Sequence, residues 1–292
     1  MEYLIFDQLS SRLAGSSKES METMNLLADL AINSGAGGFI LGEHFDGQFW
    51  GMDALQTLVP LALKKRPEEF VLGTGSILRQ FHDGAEALRR ALAITNAFGG
   101  SWEFGIGNGI GGVAENQKFE VPKCRQLTQK SGIWNADEFG FVNNTASLVF
   151  RKDAFMPSTS EENWCYPGFI RSPSQEALQM ANEHSGTTSL ALRCLWQDSE
   201  TVLIQELESF IGKDRFSQID GKLVESLVED RHQSSISEWF DQFGIIVAPP
   251  ADMEKFIQIE YGGGFDRIFI CPAATNIDRY ISCAKTLLKE TK

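Results

Sequence analysis

The stretch Gly38-Phe39-Ile40-Leu41-Gly42-Glu43-His44-Phe45 joins a short apolar run to a charged turn. An apolar run of this length, bounded by glycines, is typical of a strand that is buried on both faces, as the strands of parallel sheets are. Leucines at helical spacing precede it, at Leu26, Leu27 and Leu30, and that segment ends at Ser34-Gly35. A helix, a buried strand and a polar turn in this order form the repeating unit of a parallel α/β sheet.

The same alternation of apolar runs and helical segments continues along the 292 residues. The runs predicted as strands are residues 3–6, 38–41, 70–74, 102–105, 168–171, 189–192, 244–247 and 265–271. Eight strands with intervening helices favour a closed (β/α)8 barrel, because an open doubly wound sheet usually has about six strands. No linker divides the chain, so we expect one domain over residues 1–292, with an irregular insertion around 108–165 that holds minor strands.

Helix boundaries are predicted from capping residues, glycines and proline. Ser20 is expected to cap the first helix, and Gly99-Gly100 to end the third. A helix is predicted over residues 52–65, and Pro60 is expected to kink or interrupt it, because proline lacks the amide hydrogen. A further helix is predicted over residues 174–184, and another over 252–261.

Charge and cysteine content exclude several classes of function. The chain has 26 basic and 39 acidic residues, a formal charge of −13, which repels nucleic-acid phosphates and anionic lipids. No basic cluster with an apolar core begins the chain, and no run approaches the roughly 18 apolar residues of a membrane span, so a cytoplasmic protein is expected. The five cysteines are scattered and form no CxxC pair, which predicts reduced thiols and no metal site.

In a closed barrel, chemistry takes place at the carboxyl ends of the strands, and Glu43 and His44 follow the second predicted strand. An imidazole titrates near neutral pH, so His44 could act as a general base or hold a reactive oxygen intermediate by hydrogen bonding. Glu43 beside it could orient the ring or pair with a cation. The alternative is that both side chains only satisfy backbone groups of a loop.

Two glycine-rich segments follow the third and fourth predicted strands, Gly73-Thr74-Gly75-Ser76 and Gly105-Ile106-Gly107-Asn108-Gly109. In the second segment, glycines favour the close approach of a flat ring, which a Cβ atom would keep away from the backbone. The alternative is a plain tight turn. The GxGxxG match in residues 107–112 is a weak signal for a dinucleotide site, because it does not lie in the first βα turn and no strongly apolar helix follows it.

The segment Arg171-Ser172-Pro173-Ser174 follows the fifth predicted strand and opens a helix. Free amides at a helix amino end, together with hydroxyl groups and an arginine, can bind an anion. Proline suits the first turn of a helix, where its missing amide hydrogen costs nothing. Ser172 or Ser174 could instead serve only as a helix cap.

Together these segments resemble the bacterial luciferase-like family of flavin-dependent monooxygenases, whose fold is a (β/α)8 barrel. Glu43-His44-Phe45 is similar to the Glu-His-His/Phe signature of that family. The resemblance continues over residues 71–78 and 100–109, and over the C-terminal segments 246–250 and 263–266.

This resemblance implies roles for individual residues. His44 matches the histidine important in the reduced-flavin oxygen chemistry of the family, and Glu43 its neighbouring acid. Thr74, Gly75 and Ser76 would lie beside the flavin ring, and the family often has a non-prolyl cis peptide at the position of Gly75-Ser76. The remaining residues implied for cofactor binding are Gly107, Asn108, Arg171, Ser172 and Ser174, the serines at the flavin phosphate.

One of the departures from the family pattern lies at Asn108. Asn108 stands where bacterial luciferase itself has an arginine that contacts the phosphate. Arg171 could supply the positive charge that Asn108 lacks.

The function implied by the resemblance is a monooxygenase that takes reduced FMN from a separate flavin reductase and uses O2 on a small organic substrate. The first alternative is an oxidoreductase that uses the deazaflavin F420 and transfers a hydride without oxygen. The second is a non-catalytic flavin-binding protein or subunit. A homodimer is expected, because members of the family commonly dimerise.

Overall fold

The computed structural model describes residues 2–7, 16–43, 53–78, 84–107, 131–137, 140–143, 164–166, 175–195, 245–247, 264–272, 274 and 277–290. The strands in these residues are β1 (Glu2–Asp7), β2 (Gly38–Leu41), β3 (Val71–Leu78), β4 (Ser101–Gly107), β5 (Ser131–Asp137), β6 (Gly140–Asn143), β7 (Trp164–Tyr166), β8 (Thr188–Leu195), β9 (Ile245–Val247) and β10 (Arg267–Pro272). The helices are α1 (Ser17–Ser34), α2 (Ala54–Ala62), α3 (Gly84–Phe98), α4 (Gln175–Glu183) and α5 (Ile277–Glu290).

All of these strands belong to one sheet, which is mostly parallel. From β1 to β5, each strand pairs in parallel with the next one in chain order, while β6 runs antiparallel to β5 and β7. The last strand, β10, pairs in parallel with both β1 and β8. The predicted α/β class is confirmed, and the parallel sheet curls so that its first and last strands are neighbours.

The predicted strand positions hold best where helices and strands alternate strictly. β2 has its predicted bounds, while β3 and β4 continue past residues 74 and 105 toward their carboxyl ends. β5 and β6 lie inside the predicted insertion, where minor strands were expected. The strand predicted at residues 168–171 and the helix predicted at 252–261 lie outside the described residues.

The first helix begins earlier than predicted. Ser16, in extended conformation, is the N-cap, and its Oγ accepts a hydrogen bond from the amide of Glu19 at 3.2 Å. The prediction that Ser20 caps this helix is wrong, because Ser20 lies buried within the first turn. Ser16 and Glu19 have the spacing of a capping box, which is the sequence signal that identifies the true start. At the other end, Gly35 has a φ of 78° and closes the helix as predicted.

The second helix is shorter than its predicted span. Asp53 caps it, because its carboxyl group accepts a hydrogen bond from the amide of Gln56 at 3.0 Å. Pro60 lies inside the helix, which continues for two more residues and ends at Ala62. The helix is therefore not interrupted at the proline.

The concave face of the curled sheet carries an apolar cluster and a buried ion pair. The cluster contains Leu4, Phe6, Ile40, Ala191 and Phe269. The other face of the sheet packs against the helices and forms a larger core, with α1 and α2 contributing residues such as Met24, Leu27, Leu55 and Leu58. Burial on both faces explains why the central strands have no polar alternation in sequence.

The buried ion pair joins Arg267 at the start of β10 to Glu103 in β4. Its two nitrogen–oxygen distances are 2.6 and 3.1 Å, and each residue is 7 % exposed. The same guanidinium group donates to the hydroxyl of Ser189 at 3.0 Å and lies 5.4 Å from the ring centre of Phe269. Because β4 and β10 are not neighbours in the sheet, the two side chains meet across its concave face. They form a floor near the amino ends of the strands.

Removal of one member of this pair tests its role in the fold. We expect Arg267→Met to lower the free energy of unfolding by about 3–5 kcal/mol, because the carboxyl group of Glu103 stays buried without its cation. The double variant E103L/R267M is expected to lose less than the sum of the single losses. Urea unfolding at neutral pH measures both.

Arg89 provides the matched control, since it forms a pair of 2.7 Å with Glu86 on the exposed surface of α3. Arg89→Met is expected to leave the urea midpoint unchanged, because exposed pairs contribute little. A loss in Arg267→Met no larger than that in Arg89→Met would contradict the role of the floor.

Candidate functional site

The carboxyl ends of β2, β3 and β4 bring together five of the predicted site residues. Glu43 follows β2, Thr74 and Gly75 lie in β3, and Gly107 ends β4. Ser76 also lies in β3, where its backbone is described. The other predicted site residues lie outside the described residues: His44, Asn108, Arg171, Ser172 and Ser174.

Glycines occupy the end of the concave face opposite the floor. Ile40, Gly73 and Glu103 are in register on neighbouring strands, and the residues two positions further along the chain are Gly42, Gly75 and Gly105. Side chains alternate along a strand, so these three positions belong to the same concave face. All three glycines are buried. This end of the sheet therefore offers backbone without side chains, which a flat ring can approach closely. We call the surface formed by Gly42, Gly75 and Gly105 the glycine surface.

The backbone of β3 is irregular at this point. Thr74 pairs with Phe104, but the next pair is Ile77 with Ile106, so β3 has one residue more than β4 between the two pairs. The extra residue falls in Gly75-Ser76. A bulge of this kind bends a strand and changes the direction of its side chains, and bulges are frequent next to active sites.

Thr74 uses its hydroxyl group within the sheet. Its Oγ1 donates to the carbonyl oxygen of Gly105 at 3.1 Å, and the side chain is fully buried. The bond joins β3 to β4 beside the bulge. Thr74 thus fixes the spacing of the two glycine-bearing strand ends.

Glu43 lies at the edge of the glycine surface but directs its carboxyl group toward α2. The residue is 2 % exposed, and its Oε1 accepts a hydrogen bond from the amide of Ala54, the first residue of α2, at 3.1 Å. An acidic group is favoured there because the free amides at a helix amino end carry partial positive charge. Sequence patterns placed Glu43 correctly at the strand end without indicating this partner.

Asp53 and Arg90 form a polar cluster with Glu43, and neither of the two was predicted from the sequence. The guanidinium group of Arg90, on α3, makes contacts of 2.8 and 2.7 Å with the two carboxyl oxygens of Asp53. The hydrogen bond with Asp53 raises the pKa of Arg90, and the negative charge of Glu43 adds to the effect. Asp53 could have been found as an N-cap, since an acidic residue stands before the apolar stripe of α2 with Gln56 three residues later. Arg90 carries no comparable signal.

A second polar contact lies at the carboxyl end of β1. The hydroxyl of Tyr280, on α5, donates to the carboxyl group of Asp7 at 2.8 Å, and both residues are buried. Burial raises the pKa of Tyr280 well above its usual value, and the nearby charge of Asp7 raises it further. The contact fastens the last helix to the first strand. It was missed because the two residues are 273 positions apart.

The described part of the chain has neither a metal-binding cluster nor a membrane-spanning helix. No group of three histidine, cysteine or acidic side chains is placed there to hold a metal ion. The side chains of Cys194, Cys271 and Cys283 are buried, and burial raises the pKa of the Cys194 thiol. No described helix combines the length and apolar character needed to cross a bilayer.

Comparison with solved structures identifies the fold. Apo-MsnO8 superposes with a TM-score of 0.66 at 11 % identity, covering 99 % of this chain and 98 % of its own. The oxygenating constituent of 3,6-diketocamphane monooxygenase from Pseudomonas putida, a type II Baeyer-Villiger monooxygenase solved with FMN, superposes with a TM-score of 0.58 at 13 % identity, covering 99 % and 97 %. The chain has the luciferase-like fold. The resemblance drawn from the sequence is confirmed at this level.

An F420-dependent secondary alcohol dehydrogenase, solved with an F420-acetone adduct, shares the luciferase-like fold as well. Its TM-score is 0.56 at 11 % identity, and the match covers 100 % of this chain and 99 % of that one. No protein-family model and no curated protein matches the sequence.

A change at Thr74 tests how the glycine surface is held. Thr74→Val keeps the shape of the side chain but removes the hydroxyl, and we expect it to lower the free energy of unfolding by about 1 kcal/mol. Thr74→Ser retains the hydroxyl and is the matched control, expected to keep the bond to Gly105. Thermal unfolding compares them, and equal stability of Thr74→Val and wild type would show that the bond does not support the sheet.

Proposed function

We propose that this chain is a monooxygenase that uses reduced FMN and O2 on a small organic substrate. The observation that carries the proposal is the trio of buried glycines at the ends of β2, β3 and β4, with Glu43-His44 following β2. The luciferase-like fold of monooxygenases supports the same reading. We further propose a closed (β/α)8 barrel, a homodimer in the cytoplasm, and a separate reductase as the source of reduced flavin.

The residues at the glycine surface fit a flavin ring. Gly42, Gly75 and Gly105 present backbone without side chains on one concave face, and bare backbone allows the contact distance that a stacked ring requires. The apolar cluster below, which includes Phe6 and Ile40, keeps that side of the pocket dry. Reduced flavin supplies the electrons and the reactive carbon that activate O2, and the protein supplies binding, orientation and exclusion of water.

His44 is the group we assign to proton handling. Consecutive Cα atoms are about 3.8 Å apart, so His44 begins within one residue of the buried edge at Glu43. A neutral imidazole there can accept a proton from a reacting oxygen, or donate one when charged, near physiological pH. Thr74 and the bulge at Gly75-Ser76 set the shape of the opposite wall. Ser172, Ser174 and Arg171 are the proposed phosphate contacts, with Gly107 and Asn108 at the adjoining strand end.

A second candidate is an F420-dependent oxidoreductase. The fold that the chain shares with the F420-dependent secondary alcohol dehydrogenase supports this candidate. Both cofactors present a flat tricyclic ring, which the glycine surface accommodates equally. The third candidate, a non-catalytic flavin-binding subunit, differs in binding flavin without turnover.

Binding and turnover with purified cofactors test the proposal. We expect wild type to bind reduced FMN more tightly than reduced F420 under anaerobic conditions, measured by calorimetry. On mixing with O2, it is expected to change the rate of flavin oxidation, followed by absorbance. His44→Ala is expected to slow turnover by about 100-fold while FMN affinity stays within about threefold, because a lost acid–base group affects the reaction more than binding.

His184→Ala is the matched control, since His184 lies between α4 and the amino end of β8, away from the glycine surface. It is expected to behave as wild type. Tighter binding of F420 than of FMN would replace the first candidate by the second, and bound FMN with no effect on oxidation would favour the third. Failure to bind either cofactor would refute all three.

A further inference from the structure

We propose that Glu43 is a positioning residue for His44. Its carboxyl group ties together the two ends of segment 44–53 through the amide of Ala54, and it exchanges no proton with cofactor or substrate. The inference rests on the proposed function, in which His44 acts at the flavin. It assigns to Glu43 a role different from that of a second acid–base group.

The side chain of Glu43 points toward the helix layer. Leu41, two residues earlier, packs in the core between the sheet and the helices, and Glu43 follows it toward the same side, where its Oε1 accepts from the amide of Ala54. Gly42 between them belongs to the concave face. The carboxyl group of Glu43 is therefore turned toward the helix layer, away from the surface on which a ring would lie.

The hydrogen bond between Glu43 and Ala54 connects β2 to α2. Glu43 and Ala54 are eleven positions apart, and the bond of 3.1 Å is buried. It joins the carboxyl end of β2 to the amino end of α2, so the chain between them begins and ends at one fixed place. His44 is the first residue of that chain. A fixed backbone at residue 43 limits the positions that the next residue can take, which is how a group without contact to the reaction orders one that has it.

The far end of the segment, at Asp53, is held by contacts of its own. Asp53 accepts from the amide of Gln56 and holds the guanidinium group of Arg90 through both carboxyl oxygens. Arg90 in turn fixes the segment to α3 and partly balances the charges of Asp53 and Glu43. One end of the segment is thus held to α3, and the other is held to the amide of Ala54 by the carboxyl group of Glu43. We call this set of contacts, from Glu43 through Ala54 and Asp53 to Arg90, the frame.

The amino end of α2 does not fit a phosphate site. Helix amino ends are common phosphate sites, but the amides of Ala54 and Gln56 already donate to the carboxyl groups of Glu43 and Asp53. Two acidic groups there repel a phosphate. The polar cluster is thus built for holding the chain, and the cofactor phosphate belongs elsewhere.

Three substitutions separate positioning from proton transfer. Glu43→Gln keeps an oxygen acceptor of the same reach but cannot take up a proton, Glu43→Asp keeps the acid but is shorter by one methylene, and Glu43→Ala loses both. Hydrogen–deuterium exchange of peptides within residues 44–56, without cofactor, reports the frame directly. FMNH2 oxidation as a function of pH reports the chemistry.

For a positioning role, Glu43→Asp and Glu43→Ala are expected to speed exchange in this segment by about tenfold, the factor that one lost buried hydrogen bond implies. Turnover is expected to fall in the same two variants, while Glu43→Gln retains both quantities within about threefold and keeps the pH profile of wild type. Glu183→Gln, at the exposed end of α4, is the control and is expected to change neither.

Two results would overturn the inference. Turnover that is lost in Glu43→Gln but kept in Glu43→Asp, with a limb of the pH profile removed, would make Glu43 an acid–base group. Unchanged exchange in Glu43→Ala would show that no frame exists. Exchange is measured on protein without cofactor, so this inference can fail or hold independently of whether the chain oxidises FMNH2.

Discussion

The buried ion pair between Glu103 and Arg267 is the contact on which the shape of the molecule depends. It joins two strands that are not neighbours in the sheet, so it exists only if the sheet curls. Ser189 and the ring of Phe269 complete the surroundings of the guanidinium group. Charged groups buried this deeply are tolerated only when geometry and hydrogen bonding are nearly complete, and the pair therefore ties a stable fold to one particular curvature.

The floor also makes the two ends of the concave face different. The ion pair, with Ser189 and the ring of Phe269 around it, occupies the amino end, while the carboxyl end has glycines and a bulge in β3. A cofactor site in such a fold requires both a closed base and a stretch of backbone that a flat ring can contact. The polar cluster of Glu43, Asp53 and Arg90 lies beside the carboxyl end of β2. Through Glu43 it holds the backbone at the residue that precedes His44.

Local patterns in the sequence were sufficient for much of the fold and for placing part of the candidate site residues at the strand ends. Periodicity and glycines gave β2 its bounds and placed Glu43, Thr74 and Gly75 together at the strand ends, because these signals lie within a few residues of each other. The cap at Ser16 was missed although its signal is equally local, since Ser20 stands closer to the apolar stripe. The partners of the site side chains were beyond reach. Glu103 and Arg267 are 164 positions apart, and no periodicity of a single chain relates them.

The central claim is that reduced FMN lies on the glycines at the carboxyl ends of β2, β3 and β4. A crystal structure of the protein soaked with FMN tests it most directly. The account predicts a flavin ring against the backbone of Gly75, with the imidazole of His44 about 3 Å from a polar atom of the ring or of an oxygen ligand. A ring bound away from this surface, or one that contacts the carboxyl group of Glu43 while His44 points elsewhere, would contradict it.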